Sequence, residues 1–190
     1  MTPSPSACTA SPSPWVQRFS ALLAPGAPVL DVACGSGRHM RWFAGQGFSV
    51  TGIDRDPAAL AAAQAWGQVI EADIEGGPWP LTGQRFGAVV VTHYLWRPLL
   101  PAIVGSVAPG GVLLYETFAA GNETVGKPSR PDSLLQAGEL LRACQGLHAV
   151  AYEDGFLDAP ARFVQRIAAV RELDGAPATQ PPPRHPLAAA

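Results

Sequence analysis

Cysteine is scarce in this sequence, and its scarcity excludes two kinds of small protein. The 190 residues include three cysteines, Cys8, Cys34 and Cys144, which lie far apart and form no Cys-x-x-Cys pair. An odd number of widely spaced cysteines excludes a disulfide framework and a cysteine-based zinc site. We therefore predict a protein of a reducing compartment, the cytoplasm, that uses no metal.

Charge and long hydrophobic runs are also in short supply. Charged residues make up 15% of the chain, and the formal net charge is −2. Domains that bind nucleic acid through bulk charge usually carry a basic excess, so we expect no such partner. No apolar stretch approaches the ~20 residues that span a bilayer, so no membrane partner is expected. The N-terminus has no positive region followed by an apolar run, which argues against a signal peptide.

Hydrophobic residues, by contrast, make up 47% of the chain, enough to fill the core of one domain. The two ends differ from the rest in composition. Residues 1–14 are rich in Ser and Pro, and residues 174–190 are rich in Pro and Ala, so both are predicted to be disordered. The folded domain is expected to span residues 15–173. The sequence leaves a monomer and a homodimer equally open.

Within this domain, short apolar runs alternate with helical patterns. The predicted strands are "PVLDVA", "FSVTGID", "QVIEADI", "RFGAVVVTH", "GGVLLYETF", "HAVAYEDG" and "ARFVQRIAAVREL". The last run contains helix-forming residues as well, but its alternating Val, Ile and Phe favour a strand. The pattern predicts an α/β fold: a doubly wound, mostly parallel seven-stranded sheet, helices on both faces, and an antiparallel last strand. Ligands of such sheets bind at the carboxyl ends of the strands.

A turn of small residues follows the first predicted strand. Gly35, Ser36 and Gly37 lead from the strand into a helix. Such a turn allows a ligand to approach the backbone and exposes the N–H groups of the helix N-terminus. It is also compatible with an ordinary tight turn. The dinucleotide fingerprint would need a third glycine at position 40, where Met40 stands instead.

Acidic residues end the first three predicted strands. Asp31 precedes the glycine turn, and a carboxylate there would repel a pyrophosphate but attract an ammonium group. This favours S-adenosylmethionine, which has an amino-acid end and no phosphate, over a nicotinamide dinucleotide. Asp54 is placed to accept hydrogen bonds from ribose hydroxyls, with a helix cap as the alternative. Asp73 is a candidate for the adenine amine and Ile74 for the adenine ring, with a loop cap as the alternative for Asp73.

These motifs carry a family resemblance over about residues 28–118. "VLDVACGSGRH", "VTGIDRDP", "EADIE", "FGAVVVTHYLWRPLL" and "APGGVLLYETF" resemble the successive motifs of class I S-adenosylmethionine-dependent methyltransferases. "GELLRACQGLHAVAYEDG" is similar to the corresponding part of tellurite-resistance-type small-molecule methyltransferases. The resemblance implies a methyltransferase with S-adenosyl-L-methionine as cofactor.

The resemblance also implies a set of cofactor-binding positions. They are Asp31, Ala33, Gly35 and Gly37 at the methionine end, Asp54 with Arg55 at the ribose, Asp73 and Ile74 at the adenine, and Thr92 near the sulfonium. Ala33 departs from the family pattern, because many members have glycine there. His93 stands where many relatives have Asn or Asp, so an amino-methylating role is not carried over.

The residues after the fourth predicted strand are candidates for catalysis. His93 is the candidate general base, because an imidazole titrates near neutrality, with a backbone hydrogen bond as the alternative role. Tyr94 and Trp96 are candidate aromatic walls beside the methyl group and the acceptor, with a place in the core as the alternative. Arg97 is a candidate for binding an anionic acceptor, or else a helix cap.

A polar segment follows the fifth predicted strand and lies at the same edge of the sheet. Residues 119–132 form a long loop, and loops of this length are often functional. We predict a lid over the acceptor, with a plain surface loop as the alternative. Glu116, just before it, and Lys127 and Arg130, within it, are candidate acceptor-binding residues.

The expected function is transfer of a methyl group to a small molecule without a metal. Three alternatives stay open: methylation of RNA or protein, binding of S-adenosylmethionine without catalysis, and an NAD-dependent reductase with a degenerate glycine turn. The sequence does not define the acceptor.

Overall fold

The computed structural model describes residues 10–173 and 183–187 and contains one seven-stranded sheet in the order β3-β2-β1-β4-β5-β7-β6. The strands are β1 Val29–Val32, β2 Val50–Asp54, β3 Gln68–Glu71, β4 Phe86–Thr92, β5 Val107–Phe118, β6 His148–Asp158 and β7 Ala161–Val170. The first five strands pair in parallel, and β7 runs antiparallel to both of its neighbours. The predicted fold class is confirmed.

Short helices connect the strands. They are α1 Pro14–Phe19, α2 Arg38–Gly45, α3 Pro57–Ala63, α4 Leu100–Gly105 and α5 Glu139–Ala143. Two of them begin in the same way. The Ser13 side chain accepts the amide of Trp15 at the start of α1, and the Asp56 side chain accepts that of Ala58 at the start of α3. Each cap is followed by a proline at the first helical position, where a missing N–H costs nothing.

Apolar side chains from the two faces of the sheet form two cores. Trp15 and Phe43 belong to the core on the face covered by α1, α2 and α3. Ile103 and Leu140 belong to the core on the other face, under α4 and α5. The central strand β1 is buried along its whole length, as expected for a parallel strand covered on both sides. This double covering leaves the carboxyl edge of the sheet as the open place for a ligand.

The described chain begins before the expected domain boundary. Residues 10–14 belong to the stretch predicted to be disordered, yet Ser13 is buried and Pro14 is the first residue of α1. Residues 183–187, from the other predicted tail, contact the domain: Leu187 accepts a hydrogen bond from Arg18. The remaining parts of both predicted tails lie outside the described residues. Among the described residues, no helix has the length and apolar character needed to cross a membrane.

The loop after β5 is held at its centre by a buried side chain. Asn122 donates from Nδ2 to the carbonyl of Pro128 at 2.9 Å and accepts from the amide of Phe163 at 3.2 Å. The start of the loop is also tied to the segment that follows it, since Ala120 donates its amide to the carbonyl of Leu135. The predicted lid is therefore fastened to β7 in this structure, and Asn122 is the residue that fastens it.

We expect Asn122→Ala to loosen this loop and lower the free energy of unfolding by ~2 kcal/mol, because two buried polar groups lose their partners. Hydrogen exchange of the amides of residues 121–130 should accelerate, and urea unfolding should show the lost stability. Val125→Ala, in the same loop but at an exposed position, is the matched control. Unchanged exchange in the Asn122 variant would contradict this role.

Candidate active site

A cavity opens where the carboxyl ends of β1, β2, β3 and β4 meet. It has an empty volume of about 460 Å³ that includes its open mouth. Its lining residues are Ala33, Asp54, Arg55, Ala72, Asp73, Ile74, Glu75 and Tyr94. Five of the predicted cofactor-binding residues thus meet around one cavity: Ala33, Asp54, Arg55, Asp73 and Ile74.

The turn between β1 and α2 has a left-handed backbone at three positions. Ala33, Gly35 and Gly37 have φ angles of 54°, 53° and 80°. At Gly37 an added Cβ would lie 3.0 Å from the Cβ of Ala63, so glycine also allows α2 and α3 to pack closely. Ala33 adopts this backbone despite its methyl group, at a cost of about 1–2 kcal/mol. The small residues therefore keep the turn bare on the side of the cavity.

Asp54 fixes the position of this turn. Its Oδ2 accepts the amide of Gly35 at 2.7 Å, and its Oδ1 accepts the amide of Asp56 at 3.0 Å. One carboxylate thereby joins the turn after β1 to the end of β2, while also lining the cavity. The helix cap that was the alternative role for Asp54 is provided instead by Asp56, which caps α3.

Asp73 and Ile74 form the third side of the cavity. Oδ1 of Asp73 accepts the amides of Glu75 and Gly76, and these hydrogen bonds hold the pKa of the carboxyl below its usual value. Asp73 therefore caps its loop, which was the alternative role for this residue, and it also lines the cavity. Ile74 is buried and offers an apolar surface. Arg55 reaches to within 4.0 Å of Glu75, and both side chains are exposed.

Asp31 is a buried carboxylate with one oxygen left without a partner. The residue is 1% exposed, and within the described chain its Oδ2 has no hydrogen-bond partner. Burial raises the pKa of Asp31 to about 7, with Arg38 opposing the shift and Asp54 adding to it. A buried acceptor of this kind is energetically unfavourable until a donor reaches it.

His39 packs next to Asp31 and links it to the N-terminal segment. Its Nδ1 lies 3.9 Å from Oδ2 of Asp31, too far for a hydrogen bond, and its Nε2 accepts the amide of Ser13 at 3.1 Å. Burial lowers the pKa of His39 to about 3, helped by the positive charge of Arg38 and by His93, so the imidazole is neutral at pH 7. His39 itself is 1% exposed.

The end of β4 brings Thr92 and His93 beside the start of α2. Arg38 donates from Nη2 to Oγ1 of Thr92 at 3.1 Å, and the same Nη2 lies 3.4 Å from Nδ1 of His93. His93 has a φ of 56°, and its ring lies 5.1 Å from that of Phe118 between centroids. The amide of His93 also donates to the carbonyl of Glu116. His93 therefore makes the backbone hydrogen bond that was the alternative to a catalytic role.

The aromatic residues after His93 have different environments. Tyr94 lines the cavity, and its buried hydroxyl has no hydrogen-bond partner among the described residues. Burial raises the pKa of this hydroxyl, so it stays protonated. Trp96 is 37% exposed and is absent from the cavity lining. Tyr94, and not Trp96, therefore supplies an aromatic wall to the cavity.

Arg97 is occupied by a structural role. It donates from Nε and Nη2 to the carboxylate of Glu139 and from Nη1 and Nη2 to the carbonyls of Asp132 and Leu134. Four of its five N–H groups are thus used to hold the segment that leads into α5. This geometry does not support the predicted binding of an anionic acceptor, because the side chain has no free edge to offer.

Glu116 lies in a buried polar group beneath the N-terminal segment. It is 2% exposed, accepts from the Ser13 hydroxyl at 3.2 Å, and pairs with Arg166 at 3.4 Å. The guanidinium of Arg166 stacks over the ring of Trp15 at 4.7 Å. Lys127 and Arg130 are exposed, and Arg130 is near Asp132 at 3.7 Å. Of the three predicted acceptor-binding residues in this region, Glu116 alone is buried beside the site.

Comparisons with known proteins agree with this architecture. Residues 29–111 match the family model described as "Methyltransferase domain". The chain is 36% identical over 107 residues to malonyl-[acyl-carrier protein] O-methyltransferase of Serratia marcescens, a match to 52% of this chain and 41% of that protein. The chain therefore spans about two fifths of the length of this relative.

Two solved structures show the same fold. A TehB-like SAM-dependent methyltransferase from Corynebacterium glutamicum has a TM-score of 0.62 and 19% identity, with 83% of this chain and 87% of that chain covered. The glycopeptide N-methyltransferase MtfA, in complex with S-adenosylmethionine, has a TM-score of 0.60 and 20% identity, with 90% and 99% covered. The match to a methyltransferase domain over residues 29–111 and the shared fold confirm the resemblance found in the sequence.

The buried position of Asp31 predicts a pH-dependent stability. Because its folded pKa of about 7 lies above the usual 3.8, the folded protein binds a proton between about pH 4 and 7 that the unfolded chain has released. Stability should therefore fall as the pH rises through this window, by up to roughly 4 kcal/mol. Asp31→Asn should remove this dependence and be more stable than the wild type at pH 8.

Urea unfolding at pH values from 4 to 8 measures this effect, with Asp132→Asn at an exposed position as the control. Parallel curves for the wild type and the Asp31 variant would show that Asp31 does not titrate in this window.

Proposed function

We propose that this protein binds S-adenosylmethionine at the carboxyl edge of β1–β4 and transfers its methyl group to a small-molecule acceptor. The observation that carries the proposal is the unpartnered Oδ2 of Asp31, buried behind a bare turn. The family match and the fold support the activity, since the matched residues 29–111 contain both features.

The methionine end of the cofactor fits the turn and the residues behind it. Its ammonium group has the charge and the donors that Oδ2 of Asp31 lacks, and it would favour the ionised carboxylate. The left-handed residues Ala33 and Gly35 leave the backbone accessible to a ligand. Arg38, at the first position of α2, supplies a positive charge close to Asp31. These residues would hold the amino-acid end of the cofactor.

The adenosine end fits the cavity. Asp54 lines it at the end of β2 and retains lone pairs for ribose hydroxyls beside those that accept backbone amides. Ile74 and Tyr94 line the cavity and offer apolar and aromatic surface to an adenine ring. Asp73 stands at the mouth with Oδ1 engaged in its turn, and Arg55 lies opposite Glu75. These contacts support the proposal that Asp54 binds the ribose and that the residues at the end of β3 bind the base.

The chemistry requires alignment and exclusion of water more than it requires protein nucleophiles. The cofactor supplies an activated methyl group on a sulfonium, so the chain's own residues orient the two reactants. Thr92 and His93 stand at the end of β4, between the turn and Glu116. The N-terminal segment is anchored beside this region, because Ser13 contacts both His39 and the buried Glu116.

A small molecule is favoured over a macromolecular acceptor by charge and by enclosure. The chain's net charge of −2 offers no general attraction for RNA. Glu116 is buried and hydrogen-bonded to Ser13, so a folded protein surface could not reach this carboxylate in the conformation described. The O-methyltransferase of Serratia marcescens and the N-methyltransferase MtfA differ in the atom that their names specify, so neither fixes the atom methylated here. We further propose a cytoplasmic enzyme, monomeric or homodimeric.

We expect Asp54→Ala to weaken binding of S-adenosylhomocysteine at least tenfold, because a charged acceptor of the ribose is lost and the turn loses its anchor. Isothermal titration calorimetry measures the affinity. Asp56→Ala is the matched control: it removes a neighbouring carboxylate that also caps backbone amides but is absent from the cavity lining. It should cost stability and leave the affinity within twofold.

Equal affinities for the wild type and the Asp54 variant would contradict the ribose assignment. Turnover is tested separately, by release of S-adenosylhomocysteine from S-adenosylmethionine in the presence of small-molecule acceptor panels. Tight binding with no release for any panel would favour a non-catalytic binding protein. Binding of NADH in place of S-adenosylhomocysteine would favour a reductase.

A further inference from the structure

We propose that Arg38 is a positioning residue that holds His93 in the tautomer with a protonated Nε2. His93 then faces the acceptor as a hydrogen-bond donor and not as the general base that the sequence suggested. This inference about the acceptor rests on the proposed methyl transfer, whereas the tautomer itself follows from the geometry of the free protein.

The contact between the two side chains decides which ring nitrogen carries the proton. Nη2 of Arg38 lies 3.4 Å from Nδ1 of His93 and 3.1 Å from Oγ1 of Thr92. A guanidinium has donors and no acceptor, so the nitrogen that faces it must present a lone pair. In a neutral imidazole the other nitrogen then carries the hydrogen. The positive charge of Arg38 favours the same arrangement, because it attracts a lone pair and repels an N–H.

The surroundings of His93 keep its ring neutral. Partial burial lowers its pKa, and Arg38 and Arg162 lower it further, while the carboxylate of Glu116 opposes them. These charged groups come from α2, β7 and β5, the elements packed around the ring. The left-handed backbone of His93 and the contact with Phe118 limit the orientations of the ring. The imidazole is therefore predominantly uncharged at pH 7, and it contacts Arg38 and Phe118 although the residue is exposed.

This arrangement restricts the acceptor. A general base needs an unprotonated nitrogen toward the substrate, and here the unprotonated nitrogen is turned to Arg38. A donor at Nε2 instead matches a group with a free lone pair, such as a carboxylate or carbonyl oxygen. The acceptor class that fits is a small molecule that already carries such an oxygen beside the atom to be methylated, and that needs no proton removed by His93.

The test is NMR spectroscopy of the full chain with 15N-labelled histidine, with and without S-adenosylhomocysteine. Long-range 1H–15N correlations report the tautomer of each histidine, and His93→Gln identifies the His93 signals. In the wild type, the protonated Nε2 tautomer of His93 should predominate. Arg38→Met should shift the population toward the other tautomer and raise the pKa of His93, because both the donor and the charge are lost.

Arg38→Lys should keep most of the wild-type tautomer and pKa, since it retains a positive donor. Arg41→Met, which removes a charge from the same helix where Arg41 donates to the carbonyl of Ala10, is the control and should change neither. A wild-type His93 protonated at Nδ1, or an unchanged tautomer in Arg38→Met, would overturn the proposal. Calorimetry with S-adenosylhomocysteine on the same samples separates the outcomes: absent binding in the wild type refutes the proposed function and leaves the tautomer result standing.

Discussion

The hydrogen bond from the amide of Gly35 to Asp54 is the interaction on which the geometry of the site depends. At 2.7 Å it joins the turn after β1 to the end of β2, two strands that are neighbours in the sheet. Because the same carboxylate also accepts the amide of Asp56, it orients the start of α3. The turn is thereby held open in its left-handed conformation, and the edge of the sheet presents a bare backbone beside a cavity.

Behind this turn, the protein maintains an unfavourable charge arrangement. Asp31 is buried with an oxygen that has no partner in the described chain, and the positive charge of Arg38 only partly offsets the effect of burial on its pKa. Nearby, His39 is neutral and holds the N-terminal segment through Ser13. Local energetic cost of this kind is typical of functional sites, where a ligand completes the interactions that the fold leaves unmade.

The parts of the fold that were predictable from sequence are those set by local patterns. Buried strands such as β1 and β4 are continuous apolar runs, and the caps before α1 and α3 are followed by proline. The convergence of Asp54 and Asp73 at one edge follows from the parallel order of the strands. Each of these features can be inferred from residues close together in the chain.

The features that were missed depend on contacts between distant residues. Ser13 meets His39 across 26 residues and Glu116 across 103 residues, and no local pattern encodes either contact. The sequence predicted that Arg97 could bind an anionic ligand, but in the structure this side chain pairs with Glu139, which lies 42 residues further along the chain. The role of Arg38 toward His93 depends in the same way on the packing of α2 against the end of β4. The partners of these side chains can therefore be identified only in the folded structure, where distant segments of the chain come together.

The most direct test of the account is a crystal structure of the protein with S-adenosylhomocysteine. The account predicts the ligand's amino group within hydrogen-bonding distance of Oδ2 of Asp31, its ribose hydroxyls at Asp54, and its adenine against Ile74. A ligand bound elsewhere, or a complex in which Oδ2 of Asp31 still has no partner, would contradict it.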